Sequence, residues 1–316
     1  MARSGSLPWW ERIAGLSTYE SPEGPGGMER AVHTTDGRTL AVEDSGDPAG
    51  RVVLVHGGSP NSRHLYGPNV ADAAAQGLRL VSYDRPGYGG STPHPGYSVA
   101  DCAGDVRAIC AALEIDRLAM WGISGGGPYL LACAALLPDL VVAAASLASL
   151  APCGAEGLDW FAGMGQDNVD DFRLLLTDQD AARAQTDKDR EAILATSAGE
   201  LAQVLESLLT PVDAAVLPGE MAGYLTYAFQ EGLAPGSQGL WDDSCAHVRP
   251  WGFELSEISV PVLVLHGRQD KFVPFGHGQW LATHIPGGEA RLLDNDGHLT
   301  LLNRVGEVHA WLSERL

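Results

Sequence analysis

The sequence predicts an α/β fold with a mostly parallel sheet, an antiparallel start and a helical insertion, and three observations carry that prediction. Short runs rich in Val, Leu and Ile alternate with helical patterns along most of the 316 residues. The first two runs are joined by a tight turn instead of a helix. Between the sixth and seventh runs, roughly a hundred residues show helical spacing alone.

Taken in order, "ERAVHTT" and "RTLAVED" flank Asp36 and Gly37 and read as an antiparallel hairpin, because Asp-Gly accepts the positive φ of a two-residue turn. "RVVLVHG", "LRLVSYD", "RLAMWG", "LVVAAASLAS", "VPVLVLHG" and "EARLLDN" are short continuous apolar runs, as parallel strands covered on both faces by helices should be. In the gap after Ala151, "DNVDDFRLLL", "DREAILATSAGELAQVLESLL" and "MAGYLTYAFQEGL" repeat apolar residues three and four apart, with Pro211, Pro218 and Pro235 as breaks. So long and regular an insertion is no loop. Residues 154–258 are therefore expected to form a helical cap on a core made of residues 30–153 and 259–316, with residues 1–29 as an N-terminal arm. Pro8, Trp9 and Trp10 are expected to pin that arm to the body.

Composition narrows the function. A hydrophobic content of 45% over this length supports a large core. Forty acidic residues against twenty basic ones give a net charge of -20, which repels phosphate backbones and anionic membranes, and no basic stretch offsets it. Nucleic acid and membrane are excluded as partners, leaving a small-molecule substrate and a monomer or homodimer. The five cysteines (Cys102, Cys110, Cys133, Cys153 and Cys245) have no paired spacing and read as reduced structural thiols. The first twenty residues lack a continuous apolar segment, and the most apolar stretch, Leu130 to Ala151, is interrupted by Pro138 and Asp139, so the expected location is cytoplasmic.

The chemistry is concentrated at "WGISGGGPY", residues 121–129, where one serine stands among four glycines. Glycine is unfavourable inside strands and helices, so a cluster marks backbone positions that no other residue can occupy. Gly122, Ser124 and Gly126 fit the G-x-S-x-G pattern, in which a sharp turn between strand and helix lifts the serine hydroxyl above the sheet. The helix that follows turns free N–H groups and a positive dipole end toward that hydroxyl, which suits a developing oxyanion.

A nucleophilic serine needs a base, a carboxylate to orient it and donors for the oxyanion, all at the carboxyl ends of strands. Asp270 follows "VPVLVLHG", and His298 follows "EARLLDN"; Ser124, Asp270 and His298 thus run in the chain order of this class of serine hydrolases. His298 is expected to act as base, with an acid limb near pH 6 to 7, and Asp270 to hold its tautomer. Asp294, Asp296, Glu156 and Asp159 are the other acids near strand ends, and Asp270 is preferred as the one at a strand-end turn. His56 and His266 are expected to be structural within their "HG" turns. The oxyanion donors are expected to be the N–H groups of Gly125 and of Gly58 in "HGGSPN", with Ser59 as the substitute for Gly58.

These motifs together, "HGGSPNS", "DRPGYGGS", "GISGGG", "GRQDKFVP" and "DGHLTLL", resemble those of the α/β-hydrolase superfamily from about Ala31 onward. The resemblance is greatest to capped hydrolases of the carboxylesterase and proline iminopeptidase-like type found in actinobacteria. It implies an α/β-hydrolase fold, with an eight-stranded, mostly parallel sheet, helices on both faces and an inserted helical cap. Ser124 excludes the haloalkane dehalogenase and epoxide hydrolase branches, which carry aspartate there. "HGGSP" departs from the usual "HGGPG" of proline iminopeptidases.

The expected function is a serine hydrolase that cleaves an ester with an apolar acyl or alcohol part through an acyl-enzyme, with no metal and no organic cofactor. The alternatives are an aminopeptidase using Glu220 or Glu231 to hold an amine, a lactone or thioester hydrolase, a perhydrolase side reaction, and a biosynthetic cyclase, lyase or receptor on the same scaffold. The substrate pocket is expected to draw on Ser59 and on cap residues: Trp160, Phe161 and Met164 just after the sixth strand, and Tyr224, Tyr227 and Phe229 in a later helix.

Overall fold

The computed structural model describes residues 27–316, so the readings of Pro8, Trp9 and Trp10 lie outside the described residues. All eight apolar runs are strands of one sheet: β1 (Met28–His33), β2 (Thr39–Gly46), β3 (Arg51–His56), β4 (Leu78–Tyr83), β5 (Leu118–Ile123), β6 (Val141–Leu147), β7 (Val262–Gly267) and β8 (Glu289–Leu293). Their spatial order is β1-β2-β4-β3-β5-β6-β7-β8. β2 pairs antiparallel with both β1 and β4, and every other pairing is parallel. The hairpin between β1 and β2 turns at Gly37, whose φ of 87° is the left-handed value that glycine adopts without strain.

Each central strand is covered on both faces, and the two-residue period sorts its side chains between two cores. In β5, Leu118 and Met120 join one core with Leu54 of β3 and Val264 of β7. Helices α2 (Cys102–Ala112), α3 (Gly127–Leu136) and α10 (Phe275–His284) belong to that face. Ala119, Trp121 and Ile123 join the other core with Val53 and Val55, beneath α1 (Gly67–Ala75) and α11 (Val305–Ser313).

Between β6 and β7 the chain leaves the sheet and forms α4 (Gln166–Thr177), α5 (Gln179–Ala195), α6 (Leu201–Val204), α7 (Pro211–Val216), α8 (Glu220–Leu233) and α9 (Gln238–Val248). Pro211 stands at the first turn of α7, where its missing N–H is no loss. α8 buries Met221, Tyr224, Leu225 and Ala228 in the second core, so this excursion packs over one face of the sheet beside the carboxyl ends of its strands. No helix among the described residues is long and apolar enough to cross a membrane.

Candidate active site

Ser124 occupies the junction of β5 and α3 with a φ of 56°, a left-handed value that an L-residue with a side chain adopts only under strain. The turn is tight enough to require glycine next to it. A Cβ on Gly126 would lie 2.2 Å from the His56 carbonyl oxygen and 2.4 Å from that of Gly57, and one on Gly122 would lie 2.9 Å from the Gly126 carbonyl oxygen. The elbow and the "HGG" turn therefore touch backbone to backbone. A Cβ on Gly58 would stand 3.4 Å from that of Ser124, which sets the "HGG" turn directly beside the serine.

His298 and Asp270 meet across the ends of β7 and β8. The imidazole Nδ1 is 2.7 Å from Asp270 Oδ2, while Asp270 Oδ1 accepts the backbone N–H groups of Phe272 at 2.8 Å and Val273 at 2.9 Å. One carboxylate oxygen is thus fixed by its own turn and the other faces the imidazole. Phe272 stacks on the His298 ring at 4.5 Å between centroids. Burial disfavours the imidazolium, but the charges of Asp270 and Asp213 and the Asp270 hydrogen bond outweigh it, and the His298 pKa is raised. Three of the four other acids weighed from sequence have partners elsewhere: Asp294 pairs with Arg268, Asp296 with Arg304, and Asp159 accepts the Phe161 N–H.

His298 and Ser124 line one cavity of about 80 Å³. Its wall includes Gly58, Ser59 and Asn61 of the "HGG" turn, Tyr66 and Asn69 at and within α1, Trp121 and Ile123 of β5, and Leu205, Tyr224, Leu225 and Phe229 of the excursion between β6 and β7. Most of these surfaces are apolar, and no Lys, Arg, Asp or Glu lines the cavity.

The sequence candidates divide. Ser59, Tyr224 and Phe229 reach the cavity. Trp160, Phe161 and Met164 do not, and pack in a separate cluster with Leu150, Val169 and Val273. The Trp160 N–H is given to the Ala151 carbonyl, and its ring meets Phe161 and Phe172 edge-on. Tyr227 also lies off the cavity, with its ring 5.2 Å from that of His64. Of the expected oxyanion donors, Gly125 stands in the first turn after the strand, where its N–H has no preceding helical carbonyl. The Gly58 N–H donates to the Asn61 side chain at 3.2 Å when that amide is oriented to satisfy both of its neighbours. Asn61 must therefore yield before Gly58 can serve an oxyanion.

The main feature beyond the sequence reading is a buried network behind the oxyanion turn. Arg85, from "DRPGYGGS", donates to the carbonyls of Gly57 at 2.6 Å and Gly58 at 2.9 Å and pairs with Asp243 of α9 at 2.6 Å. Asp243, 0% exposed, also accepts from Tyr88, Tyr97, Tyr129 and Ser59. Burial raises its pKa and Arg85 more than reverses this, so the carboxylate is held ionised. One turn further along α9, His247 Nε2 stands 3.0 Å from the Gly125 carbonyl oxygen and, buried beside Arg85, is kept neutral. A single helix of the excursion thus braces both sides of the expected oxyanion hole.

His56 and His266 are fully buried, and burial lowers both pKa values, that of His56 to about 3. His266 contributes through its Nε2, 2.8 Å from the Val273 carbonyl oxygen. Among the described residues no three His, Cys, Asp or Glu side chains converge as a metal site.

Comparison with known proteins places this geometry. The family model described as "alpha/beta hydrolase fold" matches residues 50–305. The chain is 27% identical to the AB hydrolase superfamily protein YisY of Bacillus subtilis, over 91% of this chain and 98% of that one. It is 28% identical to a pimeloyl-[acyl-carrier protein] methyl ester esterase of Nitrosomonas europaea, over 80% of this chain and 90% of the relative. The solved esterase RhEst1 of a Rhodococcus species superimposes with a TM-score of 0.67 at 22% identity, covering 91% of this chain and 99% of the esterase.

Proposed function

The chain belongs to the α/β-hydrolase family and is a hydrolase, and from that premise we propose that it cleaves small esters through an acyl-enzyme formed on Ser124. The observation that carries this reading is the 2.7 Å contact between His298 and Asp270 at the wall of the cavity that Ser124 also lines. Esterase names among the relatives support the same reaction class.

In this mechanism Ser124 Oγ attacks the ester carbonyl while His298 Nε2 takes its proton. Asp270 holds Nδ1–H and stabilises the imidazolium as it forms. The tetrahedral oxyanion is met by the Gly125 N–H and, once Asn61 turns aside, by that of Gly58. The imidazolium then gives its proton to the departing alkoxide. Water, deprotonated by His298, attacks the acyl-Ser124 ester; the acid leaves and Ser124 recovers its proton.

The apolar wall suits an apolar acyl or alcohol part, and the small volume suits a short one. With no carboxylate lining the cavity, an ammonium group would be buried without a counter-charge, which favours an ester over the aminopeptidase reading. We read residues 154–258 as a cap domain, since Leu205, Tyr224, Leu225 and Phe229 supply one side of the cavity.

The test is hydrolysis of p-nitrophenyl esters from acetate to decanoate by the purified chain and by Ser124→Ala. The reading predicts a maximum among the shorter chains and a loss of about a thousandfold or more in the variant. Undiminished turnover by Ser124→Ala would remove the serine from the reaction.

A further inference from the structure

Asp270 holds the His298 imidazole at its Nδ1, and a second neighbour covers a face of the ring. The Phe272 ring lies against it with centroids 4.5 Å apart and planes 20° from parallel, an offset stack in contact. Phe272 also lines the cavity that His298 and Ser124 share. We propose that Phe272 is a positioning residue for the reaction: its ring face fixes the plane of the His298 imidazole and attracts the imidazolium that forms in each half of turnover. The proposal rests on the serine-hydrolase reading for the step in which His298 gains its proton, and it adds an electrostatic partner besides the carboxylate.

The backbone that carries the ring is tied at consecutive residues. The Phe272 N–H donates to Asp270 Oδ1 at 2.8 Å, and the Phe272 carbonyl accepts from Asn168 Nδ2 of α4 at 3.1 Å. On either side, the Lys271 carbonyl accepts the Gly165 N–H at 2.7 Å, and the Val273 carbonyl stands 2.8 Å from His266 Nε2. The side chain thus leaves a fixed backbone directly beside the imidazole. One residue touches both members of the pair, its N–H holding the acid and its ring covering the base.

An aromatic ring carries negative charge density on its faces, so a cation over a face is attracted while a neutral partner gains much less. The attraction strengthens where water is excluded, and His298 is 5% exposed. Burial there opposes the imidazolium, and Asp270 after β7 and Asp213 on α7 favour it with their charges. His266 of β7, with Nε2 3.5 Å from Asp270 Oδ2, is kept neutral by burial, and Asp296 is turned to Arg304. The Phe272 face adds to the two carboxylates without bringing a charge of its own into the cavity.

The experiment replaces Phe272 with its mono-, di- and trifluoro derivatives by amber suppression, which keeps the shape and burial of the ring while withdrawing charge from its face. In the Ser124→Ala chain carrying carbon-labelled histidine, the His298 midpoint is read by NMR, its signal identified by its absence from His298→Gln. The proposal expects that midpoint to fall stepwise with each added fluorine, by about half a pH unit or more over the series. With Ser124 intact, kcat/KM for p-nitrophenyl butyrate on the plateau above the midpoint should fall in the same order, by about two- to fivefold. A ring that only fills space would change neither, because its shape is retained. Phe272→Leu should lower the midpoint and reduce kcat more than it changes KM, while Phe272→Tyr, which keeps the face, should retain the wild-type midpoint. A midpoint that does not move across the fluorinated series, or one that moves with kcat/KM unchanged, would overturn the proposal. The titration is read without the serine hydroxyl, so the two readings separate. A stepwise midpoint with full turnover retained by Ser124→Ala would sink the serine mechanism and keep the contact; a flat series with Ser124→Ala inactive would sink the contact alone.

Discussion

Asp213 holds the backbone of His298. Its Oδ2 accepts the His298 N–H at 3.0 Å, and its Oδ1 accepts those of Leu299 at 2.8 Å and Thr300 at 3.2 Å. The carboxylate is fully buried on α7 and caps the turn of helix that follows the imidazole, from 85 residues away in sequence. A Cβ on Gly297 would lie 2.2 Å from Asp213 Oδ2, so glycine is required there for the approach.

Removing that cap should damage both stability and rate. Asp213→Ala leaves three N–H groups without their carboxylate, two of them buried, and is expected to lower stability by about 2 to 4 kcal/mol, read by urea denaturation. It should also reduce kcat more than it changes KM, because His298, the proposed base, loses its fixed position. Unchanged kcat in a folded variant would show that His298 is positioned without Asp213.

The pH dependence follows from the same carboxylates. Since the His298 pKa is raised, kcat/KM should climb through a midpoint above the ordinary histidine value of about 6.5 as the imidazole loses its proton. Asp270→Asn removes the principal charge opposing burial, so the midpoint should fall while the rate drops. An acid limb below pH 6 in the wild-type chain would contradict the role given to His298.

Behind the oxyanion turn, Asp243→Ala would strand the Arg85 guanidinium, buried and without its counter-charge. Loss of one partner from such a pair typically destabilises by about 3 to 5 kcal/mol. The melting temperature should fall by several degrees or the chain fail to accumulate. A folded Asp243→Asn, which keeps acceptor capacity but not the charge, should lose esterase rate through the Gly57 and Gly58 carbonyls that Arg85 holds.

Acid should weaken the fold before it protonates most carboxylates. Burial lowers His56 to about 3 and His277 to about 4, and that of His247, His266 and His309 also falls. These groups take protons more readily when unfolded, so their contribution is complete above about pH 6.5 and is lost as pH falls toward their folded values. Thermal unfolding should shift downward between pH 7 and pH 5. A flat melting temperature across that interval would contradict the neutral, buried assignment.

The strands were legible because each is a local event. Val53 and Val55, or Trp121 and Ile123, announce a covered strand through their own neighbours, and the turn glycines mark its end. Ser124, Asp270 and His298 were legible for a related reason, since each stands where a strand run stops. Trp160, Phe161 and Met164 follow β6 closely in sequence, but proximity along the chain does not fix direction. Their side chains pack in a cluster with Phe172 and Val273, off the cavity.

Contacts made at long range stayed hidden. Asp213 and Asp243 read as ordinary polar residues in helices, and only folding brings them against His298 and Arg85. Arg85 lay within a quoted motif, yet nothing local says that its guanidinium points at the backbone of residues 57 and 58. The stacking of Phe272 on His298 is equally silent in sequence, because the direction of a ring is visible only once its neighbours are placed.

The most direct test of the account is covalent labelling with a fluorophosphonate, which reports an activated serine without a chosen substrate. The account predicts one adduct by intact mass, mapped to the peptide that carries Ser124, absent from Ser124→Ala and nearly absent from His298→Ala. An adduct on another residue, or labelling of Ser124 that persists in His298→Ala, would contradict it.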